Sequence, residues 1–317
     1  MEIKMIGKSA ARAAVKPKKP PREPKHHSSK RERRERFQTF WFIVPSLIGV
    51  AFFYIVPFFR VIWYSVIDNT VSGELVGFEN YARLLSNSVF RLAAKNTLVF
   101  SAIALPLAII LPLLLATLLM RRIPGKSIFR TILISPLMVP TASVILIFEV
   151  IFNYNGALNS FLANFGVSAV DWLRGDFSRY IVVLLYLWKN VGYNMILFMA
   201  SLAAIPKDMI DAASIDGASA LRTFFKIKLP YLSSSIVFVG LLSLINSFKV
   251  FREVYLLTGD YPNEKLYMLQ HFMNNTYGSL DYQKLSAAAM IMCVVMVALI
   301  SVLLRVDAKL GRDIEDG

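Results

Sequence analysis

The chain has 317 residues, 56% of them hydrophobic, and a mean hydropathy of +0.53, which excludes an ordinary water-soluble domain. Its single cysteine excludes an intrachain disulfide. The formal net charge of +14 would suit nucleic acid, but the cations are concentrated in the connections on one side of a series of apolar runs. We therefore expect no nucleic acid among its partners.

Six apolar runs dominate the sequence. A helix that crosses a bilayer needs about 20 mainly apolar residues. The runs predict an all-α, polytopic membrane protein with six transmembrane helices: Phe40–Tyr64, Ala93–Met120, Ile128–Phe152, Tyr180–Ala203, Leu232–Leu257 and Leu285–Val306. The sequence lacks the alternating ten-residue strands of a transmembrane barrel. We expect residues 37–306 to form one transmembrane domain in the lipid bilayer.

Positive charge is distributed unequally between the connections. Residues 1–36 are basic and proline-rich, which predicts a disordered tail without a cleaved signal peptide. Further cations occur in the connections after the second and fourth runs: Arg121, Arg122, Lys126, Arg130, Lys207, Arg222, Lys226 and Lys228. The remaining connections carry acids with fewer cations. The positive-inside rule therefore predicts that both termini, including a short tail at 307–317, are cytoplasmic.

The Gly125-Lys126-Ser127 sequence in the second connection is similar to the end of a phosphate-binding loop. Met120 stands where that loop needs its first glycine, and no predicted strand precedes it. No Walker motif occurs elsewhere in the sequence. We therefore expect no nucleotide site in this chain and an energy source on a partner.

Polar residues inside the fourth and fifth runs are candidates for a solute path, because polar groups in a membrane usually face a cavity or a partner helix. They fall on one face of each predicted helix: Tyr186, Asn190, Tyr193 and Asn194 in the fourth, and Ser243, Asn246 and Ser247 in the fifth. The two helices run in opposite directions, and a rise of about 1.5 Å per residue places Asn190 and Asn246 at similar depth. The alternative is that these side chains bond helix to helix.

The connection at residues 205–230, between the fourth and fifth runs, is polar and rich in helix-forming residues. Pro206 suits the first turn of a helix, and Asp208 and Asp211 favour the positive end of its dipole. Gly217 would cost about 1 kcal/mol inside a helix, so we expect it to mark a turn between two short helices. The segment predicts a helix–turn–helix knob that fits a groove on another protein.

The spacing within this connection resembles the EAA loop in the membrane subunits of binding-protein-dependent ABC importers. The family pattern is E-A-A, three residues, G, nine residues and I-x-L-P. The corresponding residues here are Asp211, Ala212, Ala213, Gly217, Ile227, Leu229 and Pro230, with Asp211 in place of the usual glutamate. Segments at 78–97, 152–162 and 251–262 resemble the MalF/UgpA-like carbohydrate-uptake branch of that family. The first of these should form an interfacial helix before the second span.

The resemblance implies the architecture and partners of a type I ABC importer permease (MetI-like), without a large external insert. A non-enzymatic chain of this kind would work with a second homologous permease subunit, ABC ATPase subunits that carry ATP and Mg, and an extracytoplasmic solute-binding protein. It would hold no cofactor or metal of its own. The implied location is the bacterial cytoplasmic (inner) membrane. The seven EAA-loop residues would dock on the ATPase and couple its cycle to alternating access for a saccharide.

Charged residues in the spans bear on the kind of saccharide. Lys249 and Glu253 are spaced i, i+4 and are expected to pair on one helix face. The alternative is that the surplus cation, on Lys189 or Lys249, attracts an anionic saccharide such as a uronate oligomer. His271 falls in an external connection, where we expect a surface residue or a contact for the binding protein.

Three other functions compete with saccharide import. An ABC permease for a phosphodiester or an amino acid would share the same loop. An ion-coupled secondary transporter would need carboxylates near the membrane middle and often internal repeats, whereas Glu149 lies close to the outer end and no repeat is evident. An intramembrane enzyme would need a motif such as H-E-x-x-H or G-x-S-x-G, and the sequence has neither.

Overall fold

A computed structural model describes residues 30–121 and 123–315, and its regular elements there are helices, with one isolated bridge between Ile67 and Leu75. The α-helices are α1 Lys30–Val50, α2 Val56–Val66, α3 Glu79–Ser86, α4 Ser88–Leu119, α5 Lys126–Met138, α6 Thr141–Phe152, α7 Ala157–Ala163, α8 Ser178–Ala203, α9 Lys207–Ile215, α10 Ala220–Thr223, α11 Leu229–Tyr231, α12 Ser233–Phe248, α13 Phe251–Thr258, α14 Leu269–Gly278 and α15 Tyr282–Glu315. Two π-helical segments, Ala51–Ile55 and Phe224–Lys228, join α1 to α2 and α10 to α11. The all-α fold class is confirmed.

Six segments of the described chain are long and apolar enough to cross a membrane, as predicted. They are Phe37–Val66, Ser88–Leu119, Thr141–Ala163, Ser178–Ala203, Ser233–Thr258 and Tyr282–Ala308. A helix is present before the second span, as predicted, and it is α3. The prediction of six spans is therefore confirmed, with different boundaries for some of them.

The chain divides into two compact units at Pro57. In the first, helix α1 begins at Lys30, inside the tail that was predicted to be disordered. The described side chains of this unit are largely exposed and apolar, with Phe42 and Phe53 among the most exposed. Such a surface is suited to lipid or to another apolar protein surface. Residues 1–29 of the predicted tail lie outside the described residues.

The predicted third span, Ile128–Phe152, is not one continuous helix. Helix α5 ends at Met138, Val139 adopts an extended conformation with φ −84° and ψ 132°, and α6 begins at Thr141. The break has a local cause, because the ring of Pro140 disfavours the α conformation in the residue before it. The apolar span that begins with α6 continues through a turn into α7 and ends at Ala163.

The predicted fifth span, Leu232–Leu257, is also interrupted. Helix α12 ends at Phe248, and α13 begins at Phe251 after a turn at Lys249 and Val250. The turn contains neither proline nor glycine, so the sequence carries no local signal for it. The break separates a longer half-helix from a short one.

Helices α4 and α8 form the centre of the second unit, α5 and α12 pack against them, and α15 packs against α12. One buried cluster, which includes Phe100 and Val182, also contains side chains of α13. Another, which we call the inner cluster, includes Met195 and Phe198 together with Leu232 at the start of α12. At Gly192 of α8 the backbone of α5 comes so close that a β-carbon would collide with a carbonyl oxygen. Small residues permit such close helix packing.

Candidate functional site

Residues 205–230, which we call the α9–α11 loop, form the predicted helix–turn–helix. Helix α9 ends at Ile215, and Gly217 has a φ of 73°, in the left-handed region that favours glycine. Two hydrogen bonds close the turn, from Gly217 N to Ser214 O at 3.2 Å and from Ala218 N to Ala213 O at 2.9 Å. The predicted turn at Gly217 is therefore confirmed.

The second arm of the loop begins at Ser219, whose Oγ accepts a hydrogen bond from Arg222 N at 3.3 Å and caps α10. The π-helical segment follows, and Pro230 lies in the first turn of α11, where a missing N–H costs little. A single turn residue, Leu232, then leads into α12. The second arm is therefore nearly continuous with the fifth span.

The seven motif residues of the loop divide into two sets. Asp211, Ala212 and Gly217 are exposed around the turn. The other four are buried or half-buried: Ala213, Ile227, Leu229 and Pro230. Of these, Leu229 packs against the inner cluster beside Ile210 and Phe224. The first set offers a surface for a partner, and the second anchors the loop to the membrane helices.

Four of the predicted path residues are buried and bond one helix to another. Tyr186 Oη donates to Ser243 O at 2.7 Å, and Asn194 Nδ2 donates to Ala108 O at 2.9 Å and to Ser243 Oγ at 3.0 Å. Ser247 Oγ lies 3.0 Å from Ser101 Oγ. These bonds join α4, α8 and α12. Their geometry supports the alternative of helix-to-helix bonding for this set.

Asn190 and Asn246 are brought together at the same depth, as their positions predicted. Asn246 Nδ2 donates to Asn190 Oδ1 at 3.1 Å, and Asn190 Nδ2 donates to Tyr186 O at 2.8 Å. Both residues are only half-buried. Tyr193, one helical turn further along α8, is 39% exposed. This part of the polar face remains accessible to a solute or to a partner helix.

Glu253 pairs with Lys189, whereas the sequence predicted a pair between Glu253 and Lys249. Lys189 Nζ lies 2.5 Å from Glu253 Oε1 and donates to Thr141 Oγ1 at 3.2 Å. The turn between α12 and α13 breaks the i, i+4 register that the prediction assumed, because Lys249 lies in that turn. Lys249 is exposed and forms no ion pair with any residue in the described part of the chain.

His271 is not a surface residue, contrary to expectation. It lies in α14 with no exposed surface, its Nδ1 accepts a hydrogen bond from Met268 N at 3.3 Å, and its ring centroid is 4.7 Å from that of Phe251. Burial lowers its pKa from 6.5 to about 4, against an opposing effect of Asp260. The connection that contains α14 packs against α4 and α15, and sequence position alone did not show this.

Three asparagines outside the predicted site tie down the connections on the predicted extracytoplasmic side, which we call the outer connections. Asn80 donates to Ser65 O and Ile67 O, and Asn96 donates to Glu264 O and Tyr267 O. Asn159 donates to Tyr154 O and Val170 O and accepts from Trp172 Nε1 at 2.8 Å. All three belong to the segments that resemble the carbohydrate-uptake branch. That resemblance was the signal in the sequence that could have singled them out.

These helices, with a polar centre and an exposed helix–turn–helix loop, define a multi-pass membrane protein of the transporter class. A family model described as "Binding-protein-dependent transport system inner membrane component" matches residues 108–310. The chain belongs to this family, as the loop predicted, and is an ABC permease subunit of the inner membrane.

Named relatives cover most of the chain. It is 34% identical to the trehalose/maltose transport system permease protein MalF of Thermococcus litoralis over 86% of this chain and 93% of that protein. It is 32% identical to the multiple sugar-binding transport system permease protein MsmF of Streptococcus mutans, over 86% and 94%. The sn-glycerol-3-phosphate transport system permease protein UgpA of Yersinia pestis is 29% identical, over 81% and 89%.

Solved structures show the same fold. One is a bacterial ABC transporter described as involved in the import of the acidic polysaccharide alginate, with a TM-score of 0.78 at 19% identity over 88% of this chain and 98% of that one. Another is a bacterial alginate ABC transporter in complex with an alginate pentasaccharide-bound periplasmic protein, with a TM-score of 0.76 over 86% and 94%. The agreement shows that this chain shares their fold.

Proposed function

We propose that this chain is one membrane subunit of an ATP-driven saccharide importer, supplied by an extracytoplasmic binding protein. The observation that carries the proposal is the exposed turn of the α9–α11 loop, a ready docking surface on a chain that has no Walker motif of its own. The sugar assignment is supported by two relatives named for trehalose/maltose and for multiple sugars. A second permease subunit and ATPase subunits complete the transporter.

The connection between loop and polar centre supports a mechanism for coupling. Three residues separate α8 from α9, and α11 leads through one residue into α12. The hydrogen-bonded pair Asn190–Asn246 lies on these same two helices, α8 and α12. A displacement of the loop by the ATPase therefore acts on both partners of that pair. Nucleotide performs work in this way if it binds one arrangement of the helices better than the other.

The experiment that tests docking is copurification of the ATPase subunit with the Gly217→Asp variant. Asp at Gly217 puts a charge and a strained φ into the exposed turn, and we expect loss of the ATPase from a permease that still inserts in the membrane. Gly125→Asp is the matched control, because Gly125 has a similar φ of 71°, also has open space around it, and lies outside the loop. Equal retention of the ATPase by both variants would contradict the proposal.

We further propose that the saccharide carries acidic groups that Lys249 attracts. The sequence singled out two cations, Lys189 and Lys249. Glu253 neutralises Lys189, so Lys249 is the one of the two that can attract an anion. The alginate-importing transporter with the same fold and the glycerol-3-phosphate relative are both described with anionic substrates. Tyr193, Asn190 and Asn246 would supply a ring face and amides for the sugar.

Uptake of charged and neutral saccharides by Lys249→Gln tests the charge proposal. We expect reduced uptake of a uronate oligomer and unchanged uptake of a neutral oligomer of the same length. The control is Lys265→Gln, since Lys265 is already paired with Asp176 in an outer connection. Equal impairment of the uptake of both substrates by Lys249→Gln would contradict the proposal of an anionic saccharide. The proposal of saccharide import would still stand. Uptake that is insensitive to ATP depletion would instead favour a secondary transporter.

A further inference from the structure

A cavity of about 610 Å³ opens between the end of α4 and the α9–α11 loop. Its lining is mostly apolar and includes two cations, Arg121 and Lys228. None of the seven motif residues of the loop and none of the predicted path residues line it. The volume lies within the range of about 300–1,000 Å³ that is usual for small-molecule sites. The docking and transport roles proposed above therefore leave this cavity without a function.

The α4 wall of the cavity runs from the apolar part of the membrane to its surface. Leu114 and Thr117 share one face of α4, and Arg121 follows two residues after the end of that helix. Between Ile109 and Met120 the only polar side chain is that of Thr117, and Arg121 is the first charged residue after this apolar stretch. Arg121 therefore lies at the depth of the lipid headgroups, and Leu114 lies about two turns deeper, among the acyl chains.

The opposite wall offers a matching arrangement. Phe225 is 59% exposed, and Leu221 is 72% exposed, and both face the cavity. Lys228 follows Phe225 by three residues on the π-helical segment and is half-buried. Each of the two walls of the cavity thus has an apolar surface and one cation.

Arg121 and Lys228 form no ion pair and no side-chain hydrogen bond within the described parts of the chain. A half-buried cation beside apolar surface is costly unless an anion approaches it. Anionic headgroups attract basic residues next to a membrane span, and basic pockets between spans on the cytoplasmic side bind lipid phosphates. The charge of the cavity rim therefore complements a lipid phosphate, and its apolar walls complement an acyl chain.

We propose that this cavity binds an anionic phospholipid, with the phosphate between Arg121 and Lys228 and an acyl chain along Leu114 and Phe225. The bound lipid joins the end of α4 to the second arm of the α9–α11 loop. It therefore restrains the loop from the lipid side, whichever solute the transporter carries. A protein partner that filled the cavity would exclude the lipid, which makes occupancy in the assembled transporter a direct test.

Native mass spectrometry of the full chain, alone and with its copurified partner subunits, tests the site with phosphatidylglycerol as the probe. Removal of two cations, each contributing about 1 kcal/mol near a membrane surface, should weaken phosphatidylglycerol retention in R121Q/K228Q by about thirtyfold. The matched control is K207Q/K226Q, which removes two exposed cations of the same loop that do not line the cavity. The charge-conserving variant R121K/K228R should retain the lipid.

A second variant separates the acyl chain from the headgroup. Thr117→Trp fills the cavity but leaves both cations in place, and we expect it to lose phosphatidylglycerol as R121Q/K228Q does. Phosphatidylcholine and the chain-free headgroup glycerol 1-phosphate should neither be retained nor compete.

Several results would overturn the proposal. Equal retention by the wild type and R121Q/K228Q, or equal loss from K207Q/K226Q, would show that the two rim cations are not the site. Full retention by Thr117→Trp, or displacement by glycerol 1-phosphate, would show that no acyl chain enters the cavity. Absence of the lipid from the assembled wild-type transporter would show that a protein partner occupies the space. None of these results depends on whether the ATPase docks at Gly217.

Discussion

The outer connections and the α9–α11 loop are held by different kinds of contact. In the outer connections, side-chain amides bond to distant backbone, as Asn96 does with Glu264 O at 2.5 Å. The loop has local hydrogen bonds and is anchored by apolar side chains such as Ile210 and Leu229. Hydrogen bonds are directional, whereas apolar contacts allow small displacements. We infer that the outer side is a fixed frame and that the loop shifts as a unit with α8 and α12.

The largest expected effect comes from removing an outer asparagine. Asn96→Ala deprives Glu264 O and Tyr267 O of a donor and Arg179 of an acceptor that lies 2.8 Å from its Nη2. We expect the free energy of unfolding to fall by about 3 kcal/mol, since three hydrogen bonds of about 1 kcal/mol each are lost. Thermal unfolding in detergent measures this effect.

The control for this prediction is Asn155→Ala, because Asn155 is an exposed residue of the turn between α6 and α7. A melting temperature equal to that of the control would mean that Asn96 does not hold the frame.

Acid should weaken the same frame. The folded-state pKa of His271 is lowered to about 4 by burial, so the unfolded chain binds more protons between that value and 6.5. The stabilisation is complete above pH 6.5 and is lost as the pH falls towards 4. From pH 7 to pH 5 the expected loss is about 2 kcal/mol, because one pKa unit corresponds to about 1.4 kcal/mol.

Melting temperatures of the wild type and His271→Gln across this pH range measure the contribution. The variant should show a flatter profile than the wild type between pH 7 and pH 5. Parallel profiles would assign the acid sensitivity to other groups.

The loop should respond less to loss of one anchor. Leu229→Ala removes part of a half-buried side chain from the inner cluster, which should cost about 1 kcal/mol. Because the loop then shifts more freely, we expect ATP hydrolysis to proceed with less saccharide transported per ATP. Lys226→Ala, at an exposed position of the same arm that does not line the cavity, is the control. A change in stability with unchanged coupling would show that this anchor does not transmit the motion.

An effect of similar size is expected within the polar centre. Tyr186→Phe removes a hydroxyl that donates to Ser243 O at 2.7 Å, which should lower stability by about 1 kcal/mol and leave the KM for saccharide unchanged. Asn246→Ala, at a half-buried position, should instead raise that KM. Transport assays on both variants separate a helix contact from a solute contact. A raised KM in Tyr186→Phe alone would reverse the two assignments.

Much of the fold could be predicted because membrane spans follow local rules. Runs of about 20 apolar residues defined six spans, and Gly217 marked the turn of the loop. Pro140 was visible in the sequence, yet the break that it causes was missed, since prolines also occur inside unbroken helices such as α4. The turn at Lys249 had no local signal. The Lys249–Glu253 pair was therefore predicted wrongly, although both residues had been singled out.

The sequence by itself determined the membrane class, the number of spans and the family, because these depend on composition and on spacing along the chain. Tertiary structure decided which polar residues are buried between helices and which remain accessible. Tyr186 and Asn190 are one helical turn apart, but only the packing of α4 and α12 on α8 makes the first buried and the second half-exposed. The same packing paired Lys189 with Glu253 and enclosed His271. Contacts between residues distant in sequence decide burial, and no local pattern records them.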